Sequence, residues 1–355
     1  MKETVYFIKA GNEEDDRQLC KKIERNINHK GLLSFIEPKD FVAIKTHFGE
    51  EGTRGYVRPV YFEMLGKCIK SQQAFPFLTE TSTLYRGRRS NAFDHMQLAY
   101  DHGFGIEATG LPIIMADGLL GDEEIEIIIK GNILNTVRIA KLLVKSQAMV
   151  LVSHFTGHML TGFGAALKNL GMGCASRKGK LIQHSTSKPS IKKARCTGCA
   201  ECVKWCPQDA ISLIDGKASI DKDKCIGCGE CLAVCRFDAV GYNWSETNDK
   251  LQKKMVEHAL GVVESNKGKI AYLNFLTRIT KDCDCMKGFN RIVPDIGVLL
   301  SYDPVAIDAA SLDLVEKTTE KKWSQLTFNV PCRAQIEYAA EIGLGNPDYQ
   351  LIEII

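Results

Sequence analysis

Two runs of cysteine constrain this chain more than anything else in it. From Arg195 to Val240 it reads RCTGCAECVKWCPQDAISLIDGKASIDKDKCIGCGECLAVCRFDAV, which holds eight of the 14 cysteines in two copies of C-x2-C-x2-C-x3-C. That is the run expected for two [4Fe–4S] clusters: three thiolates come from a tight loop and the fourth from a distant position. In two-cluster proteins of this type the fourth cysteine of each run serves the other cluster. The spacing therefore assigns Cys196, Cys199, Cys202 and Cys235 to one cluster. Cys225, Cys228, Cys231 and Cys206 go to the other. Zinc also binds C-x2-C pairs, but its sites need four ligands, not two interlocking sets of four. A disulfide framework suits a small secreted domain, not a chain of 355 residues. The two runs differ after the last cysteine: Pro207 follows Cys206, whereas Arg236 follows Cys235. A proline there shapes the turn and not the ligation, and a nearby arginine is expected to raise a cluster's potential.

The length is that of about two domains with ample core. Apolar content of 45% and charged content of 25% are ordinary for a globular protein. The net charge of +3, on 46 basic and 43 acidic residues, gives no reason to expect nucleic acid. No apolar run approaches the roughly 18 residues of a membrane span. The N-terminus, MKETVYFIKA, has no apolar leader. Free thiols beside clusters place the expectation in a reducing cytoplasm.

Outside the cysteine runs, short apolar strands alternate with helical stretches. Strands are expected at 4–9, 41–44, 75–78, 112–115, 125–129, 148–152, 270–275 and 296–300. Helices are expected at 13–30, 61–69, 91–102, from Asn132 through Val144, at 248–265 and from Pro304 to about 317. Asp303 and Pro304 fit the cap and first position of that last helix. This alternation argues an α/β domain with a mostly parallel sheet and flanking helices, built from 1–187 and 246–355. Residues 188–245 are expected to form a small inserted α+β domain, and the segment resembles bacterial-type two-cluster ferredoxins.

Polar residues collect where strands end: Lys45 and His47; Glu80; Asp117; His154 and His158; Asp282, Cys283 and Cys285; Asp303 and Asp308. In open α/β sheets, ligands bind outside the carboxyl ends of the strands. The stretch SHFTGHMLTGFGAALKNLGMGC (153–174) is the sharpest case. His154 and His158, four apart, would share one face of a helix and could grip a metal ion, though Gly157 makes a loop equally open. The glycines around Lys168 and Asn169 could open a short helix that cradles an anion. It is not a Walker A loop, since G-x4-G-K-[ST] is absent. The segment 45–58 carries Lys45, His47, Arg54 and Arg58 among glycines and suits an acidic group. Cys283 and Cys285 form a C-x-C pair open to three readings: metal ligands, a redox pair, or inert thiols. Cys174 reads as a small core residue.

KTHFGE, TETSTLYRGRR, SHFTGHMLTGFGAALKNLGMGCASRKGK, DCDC and SYDPVAIDAA resemble the DUF362 family (domain of unknown function 362) with an inserted two-cluster ferredoxin domain. The resemblance covers nearly the whole chain. That family is similar in part to the α/β domains of the nickel-pincer lactate racemases. Its members are labelled iron–sulfur cluster-binding proteins, with no reaction attached, so the resemblance implies fold and clusters and not chemistry. The expectation is an electron-transfer protein, a possible oxidoreductase, in which the clusters serve a site at the strand ends. His154, His158 and Lys168 would act there on an acidic small molecule, with Lys45, His47, Arg54, Arg58 and Asn169 holding its charge. An additional metal ion on His154, His158, Cys283 or Cys285 belongs to the same expectation. Two alternatives stand beside it: a carrier that only recruits a redox partner protein, and a protein that handles a metal or cofactor.

Overall fold

The computed structural model describes residues 2–354 apart from 12–13, 86, 185–187, 226, 228, 243–246 and 287. The cluster ligand expected at Cys228 lies outside the described residues.

A seven-stranded sheet organises the body. Its strands are β1 (Glu3–Lys9), β2 (Phe41–Lys45), β3 (Phe75–Thr79), β4 (Ala148–His154), β5 (Ile270–Leu276), β6 (Gly297–Ser301) and β7 (Tyr349–Glu353), in the spatial order β7-β1-β6-β5-β4-β2-β3. The neighbours β5, β4, β2 and β3 run parallel to one another, as do β1 and β7, and β6 alone runs against its neighbours.

The strands are apolar on both faces because both are covered. Along β4, Val150 and Val152 pack on one side and Met149 and Leu151 on the other. The first side meets α1 (Asp16–Lys30) and α2 (Pro59–Lys70), which present Leu19, Ile23 and Ile27, then Phe62, Leu65 and Ile69. The second side meets α3 (Ala166–Gly171), α5 (Asn248–Ser265) and α6 (Pro304–Thr319), through Leu167 and Leu170, Met255 and Ala259, and Val305 and Leu312. One more helix, α4 (Arg177–His184), leads from this body into the cysteine segment. Among the described residues, no helix is long and apolar enough to cross a membrane.

The local expectations hold for most elements and fail between 112 and 145. Residues 112–115 make only a bridge, Ile113 to Leu78; Pro112 has no N–H to extend a ladder. The expected strand at 125–129 lies outside the main sheet, in a hairpin of 124–128 with 136–140. The helix expected from Asn132 does not form. In its place, Val137 and Ile139 are buried while Thr136 and Arg138 are not, and this two-residue period with β-branched side chains makes a strand. Only 141–145 is helical.

The cysteine segment packs around a small apolar cluster of its own residues together with Leu84 and Leu181. Its two halves repeat at a constant offset of 29 residues, Cys196 to Cys225 and Cys206 to Cys235. The offset extends beyond the cysteines. Short helices at 201–204 and 230–233 correspond, and Asp209 and Asp238 both take positive φ, 47° and 48°.

Candidate functional site: a strand-end cavity beside the cysteine unit

Because β2, β3, β4 and β5 are parallel, their carboxyl ends open on one edge, and a cavity of about 460 Å³ lies there. Lys45, the last residue of β2, is buried; its Nζ lies 2.6 Å from Glu80 Oε1 and donates to Asn169 Oδ1 at 2.8 Å. Glu80 follows β3. Burial alone would raise its pKa, but the charges of Lys45 and Arg89 bring it down to about 2. Arg89 also reaches Glu50 Oε2 at 3.2 Å and His47 Nε2 at 2.7 Å, and donates to the Tyr85 hydroxyl. Burial first, then the charge of Arg89, holds His47 neutral, well below its usual pKa.

Lys168 and Asn169 stand on α3, whose entry differs from the expected anion cradle. The amides of Ala166 and Leu167, which would face an anion, donate instead to Asp308 at 2.9 and 2.8 Å. The protein's own carboxylate fills the helix N-terminus, so the lysine faces the cavity without that support. Burial lowers the Lys168 pKa to about 8, and its Nζ lies 3.5 Å from Cys283 Sγ. A second buried lysine, Lys180 on α4, also drops to about 8 through burial and is held by Thr81 Oγ1, Ser82 O and Ala175 O.

His154 and His158 do not share a helix face. β4 runs through His154, and His158 lies in a short hairpin of 156–158 with 162–164. Both His154 nitrogens are taken: Nδ1 sits 2.8 Å from Asp284 Oδ2, and Nε2 donates to Thr277 O at 2.9 Å. Burial works against its charge, but Asp284 more than offsets this and raises the pKa. His154 is thus a strut and not a free ligand. His158 Nδ1 accepts from the amides of Leu160 and Thr161 at 3.3 and 3.2 Å and lies 3.0 Å from Thr161 Oγ1, and among the described residues its Nε2 has no hydrogen-bond partner. Two glycines permit this packing. A Cβ on Gly157 would stand 1.9 Å from Lys281 O, and one on Gly55 would stand 2.4 Å from Asp284 Oδ1. His158, Cys283 and Cys285 offer donor atoms within 4.8 Å of one another, and the two sulfurs are joined as a disulfide.

The expected strand-end set is therefore largely brought together: Lys45, His47, Glu80, His154, His158, Lys168, Asn169, Asp282, Cys283 and Cys285 all line the cavity. Arg54 and Arg58 do not. Arg54 is exposed, and Arg58 donates to the Arg54 carbonyl and covers the Tyr56 ring. Asp303 lies at the opposite edge, because β6 is antiparallel; it caps α6 and also accepts from Asn346 N. Asp117 is buried and accepts from Ser82 N at 2.7 Å. Cys174 is a core residue, and burial pushes its thiol up to about 12. Sequence reasoning missed Arg89, Lys180, Glu50 and Asp284. The first two sit in quoted basic stretches, TETSTLYRGRR and CASRKGK, where nothing in the spacing separates one lysine or arginine from its neighbours.

In the cysteine unit, the described members of each expected set lie near one another. Burial first, then the nearby sulfurs of Cys235, Cys199 and Cys196, raise the Cys202 thiol, which places Cys235 with the first run despite its distance in sequence. Cys206, Cys225 and Cys231 line a second cavity of about 20 Å³. Backbone amides point at three sulfurs: Ala218 at Cys196 (3.3 Å), Ala210 at Cys206 (3.2 Å) and Ala239 at Cys235 (3.3 Å). Such donors stabilise negative charge on sulfur, so the described residues fit the group their spacing implies.

α4 joins the two regions. Lys180 and His184 line the strand-end cavity, Leu181 enters the cysteine core, and Lys178 binds Glu230 at 2.5 Å. Leu84 both lines the cavity and packs in the cysteine core.

A family model described as "Domain of unknown function (DUF362)" matches residues 42–313, and the chain belongs to that family. No curated protein matches the chain. Among solved structures, the lactate racemase apoprotein from Thermoanaerobacterium thermosaccharolyticum is similar at 11% identity and a TM-score of 0.43, covering 99% of this chain and 83% of its own. A protein from Thermotoga maritima is similar at 10% identity and a TM-score of 0.45 over 88% of this chain, which spans 60% of that protein's length.

Proposed function

For this DUF362-family chain we propose an iron–sulfur electron-transfer function, in which electrons move between the cysteine unit and an acidic small molecule held in the strand-end cavity. One observation carries the reading: α4 and Leu84 belong to both regions at once, so the cavity is fixed beside the cysteine core. Two [4Fe–4S] clusters, when bound, supply one-electron chemistry. The chain's own residues do the rest. Neither Lys168 nor Lys180 has a carboxylate partner at bonding distance among the described residues, and together they make the cavity attractive to a carboxylate or phosphate. The His154–Asp284 pair fixes the loop that carries Cys283 and Cys285. Asn169 ties Lys45 to the end of β4, donating to Val152 O and Ser153 Oγ.

The test begins with protein purified without oxygen. About eight iron and eight sulfide per chain are expected. Reduced protein should then be reoxidised by the right acidic substrate, and Lys168→Met should abolish that step with iron content unchanged. Protein that keeps all its cysteines yet holds no iron or sulfide sinks the proposal.

A second reading, a carrier without its own substrate, is favoured by the surface of the cysteine unit. Trp205 and Phe237, next to Cys206 and Cys235, are 55% and 39% exposed, a surface suited to a partner protein. It predicts a stable complex and no small-molecule turnover.

A further inference from the structure

We infer that His158, Cys283 and Cys285 form a redox-gated site for a borderline-soft divalent cation, zinc or iron(II), with an open position facing the strand-end cavity. The inference goes beyond the electron-transfer reading and needs none of the eight clustered cysteines.

The donor set comes first. One imidazole nitrogen and two sulfurs lie within 4.8 Å of one another. Thiolate with imidazole selects zinc or iron over magnesium or calcium, which want oxygen. The residue between the cysteines does not join them, since Asp284 Oδ2 is committed to His154.

The second observation is independent of the first. Cys283 Sγ receives the Lys168 ammonium at 3.5 Å and the Cys285 amide at 3.2 Å. A disulfide sulfur is a weak acceptor, whereas a thiolate gains from both contacts. The surroundings of Cys283 thus suit its charged, reduced form. The third observation concerns His158. The amides of Leu160 and Thr161 donate to its Nδ1 at 3.3 and 3.2 Å, which holds the ring in place with its neutral-state proton on Nε2. A cation at Nε2 displaces that proton to Nδ1, where Thr161 Oγ1, 3.0 Å away and already donating to Phe163 O, accepts it.

Three protein ligands leave a tetrahedral ion one position short, the arrangement of catalytic and not structural zinc. All three line the cavity with Lys168. Two thiolates neutralise a divalent ion, and the lysine adds a positive charge, so the open position would take a carboxylate or phosphate oxygen.

The gate follows from the disulfide between the two cysteines. A dithiol reductant opens it, giving two electrons and two protons and becoming a disulfide itself. The cation then displaces the two thiol protons and binds two thiolates and the neutral imidazole. An oxidant that removes two electrons from the bound thiolates re-forms the S–S bond and releases the ion.

The test uses the full chain, reduced with a dithiol, desalted without oxygen and titrated with zinc chloride. Wild-type protein should take up one zinc more than Cys283→Ser/Cys285→Ser, at matched circular dichroism. X-ray absorption at the zinc edge of that extra ion should show two sulfurs and one imidazole. Thr161→Val should weaken binding roughly tenfold, and oxidation should release the ion. Equal zinc in wild type and the double variant overturns the site, and equal zinc before and after oxidation overturns the gate. Iron content is read separately, so loss of the cluster proposal leaves this result standing.

Discussion

The cysteine unit and the strand-end cavity are built in opposite ways. In the unit, cysteines are part of the core: Cys196 and Cys231 are among its few buried residues, with Cys202, Cys206 and Cys235 packed against them. Its strands are two to four residues long. In the body, two large apolar cores cover the sheet, and the cavity residues are guests at its edge. The unit's order should therefore depend on what its cysteines bind, and the body's should not.

The largest expected effect follows. Stripping iron from reduced protein should abolish amide protection across 188–245 and leave β2, β4 and β5 protected in hydrogen exchange. A small domain whose ligands form its core gets much of its folding free energy from the bound group. If the stripped unit keeps full protection, the contrast is wrong. In the body, the sensitive element is the buried ion pair. Lys45→Met leaves Glu80 buried with Arg89 as its remaining ion-pair partner at 3.6 Å. Removing one member of a buried pair costs about 3–5 kcal/mol, and urea unfolding should register this while the cysteine unit's iron content stays constant.

The same contrast explains what could be read from the chain. The two cysteine runs were readable as a pattern because one short segment carries them whole, and their spacing also suggested the crossing of Cys206 and Cys235. The cavity was legible in part, because strand ends are visible as apolar runs that turn polar. What could not be read is direction. Asp303 looks like Glu80 in sequence, yet β6 runs backwards and sends it to the far edge. Nor could occupancy be read: the glycine-rich entry to α3 looks like an anion site, and Asp308, 142 residues away, already fills it. The failure at 132–144 was a contest of periods, in which Val137 and Ile139 followed the two-residue period of a strand.

A smaller effect separates the regions by pH. His95 is fully buried, among the described residues neither ring nitrogen is hydrogen-bonded, and burial pushes its pKa down to about 3. Burial likewise brings His258 to about 4. A base whose folded pKa is depressed contributes stability that is fully present above its unfolded value near 6.5 and is lost as pH falls toward the folded value. The body should weaken below pH 6.5. His95→Gln should flatten that slope by about 1.4 kcal/mol per pH unit, measured by urea unfolding at successive pH values. An unchanged slope would mean that His95 does not stay neutral.

The smallest effect probes the join itself. Lys178 is bound by Glu124 of the body at 2.8 Å and by Glu230 of the cysteine unit at 2.5 Å. Glu124 is buried but keeps Arg138 at 2.6 Å, and the Glu230 side chain is 25% exposed to water, so Lys178→Met leaves neither carboxylate unpaired in a dry site and should cost the whole protein only about 1 kcal/mol. Its effect on the join should be clearer than its effect on stability. Leu181 and Leu84 still pack in the cysteine core, so the unit should remain docked and iron-loaded. The amides of 230–233 should nonetheless exchange several-fold faster, with those of β4 unchanged. Faster exchange confined to that helix would make Lys178 a local clamp between two separately stabilised regions. Equal acceleration in β4 would mean that body and unit unfold together, and the contrast between them would fail.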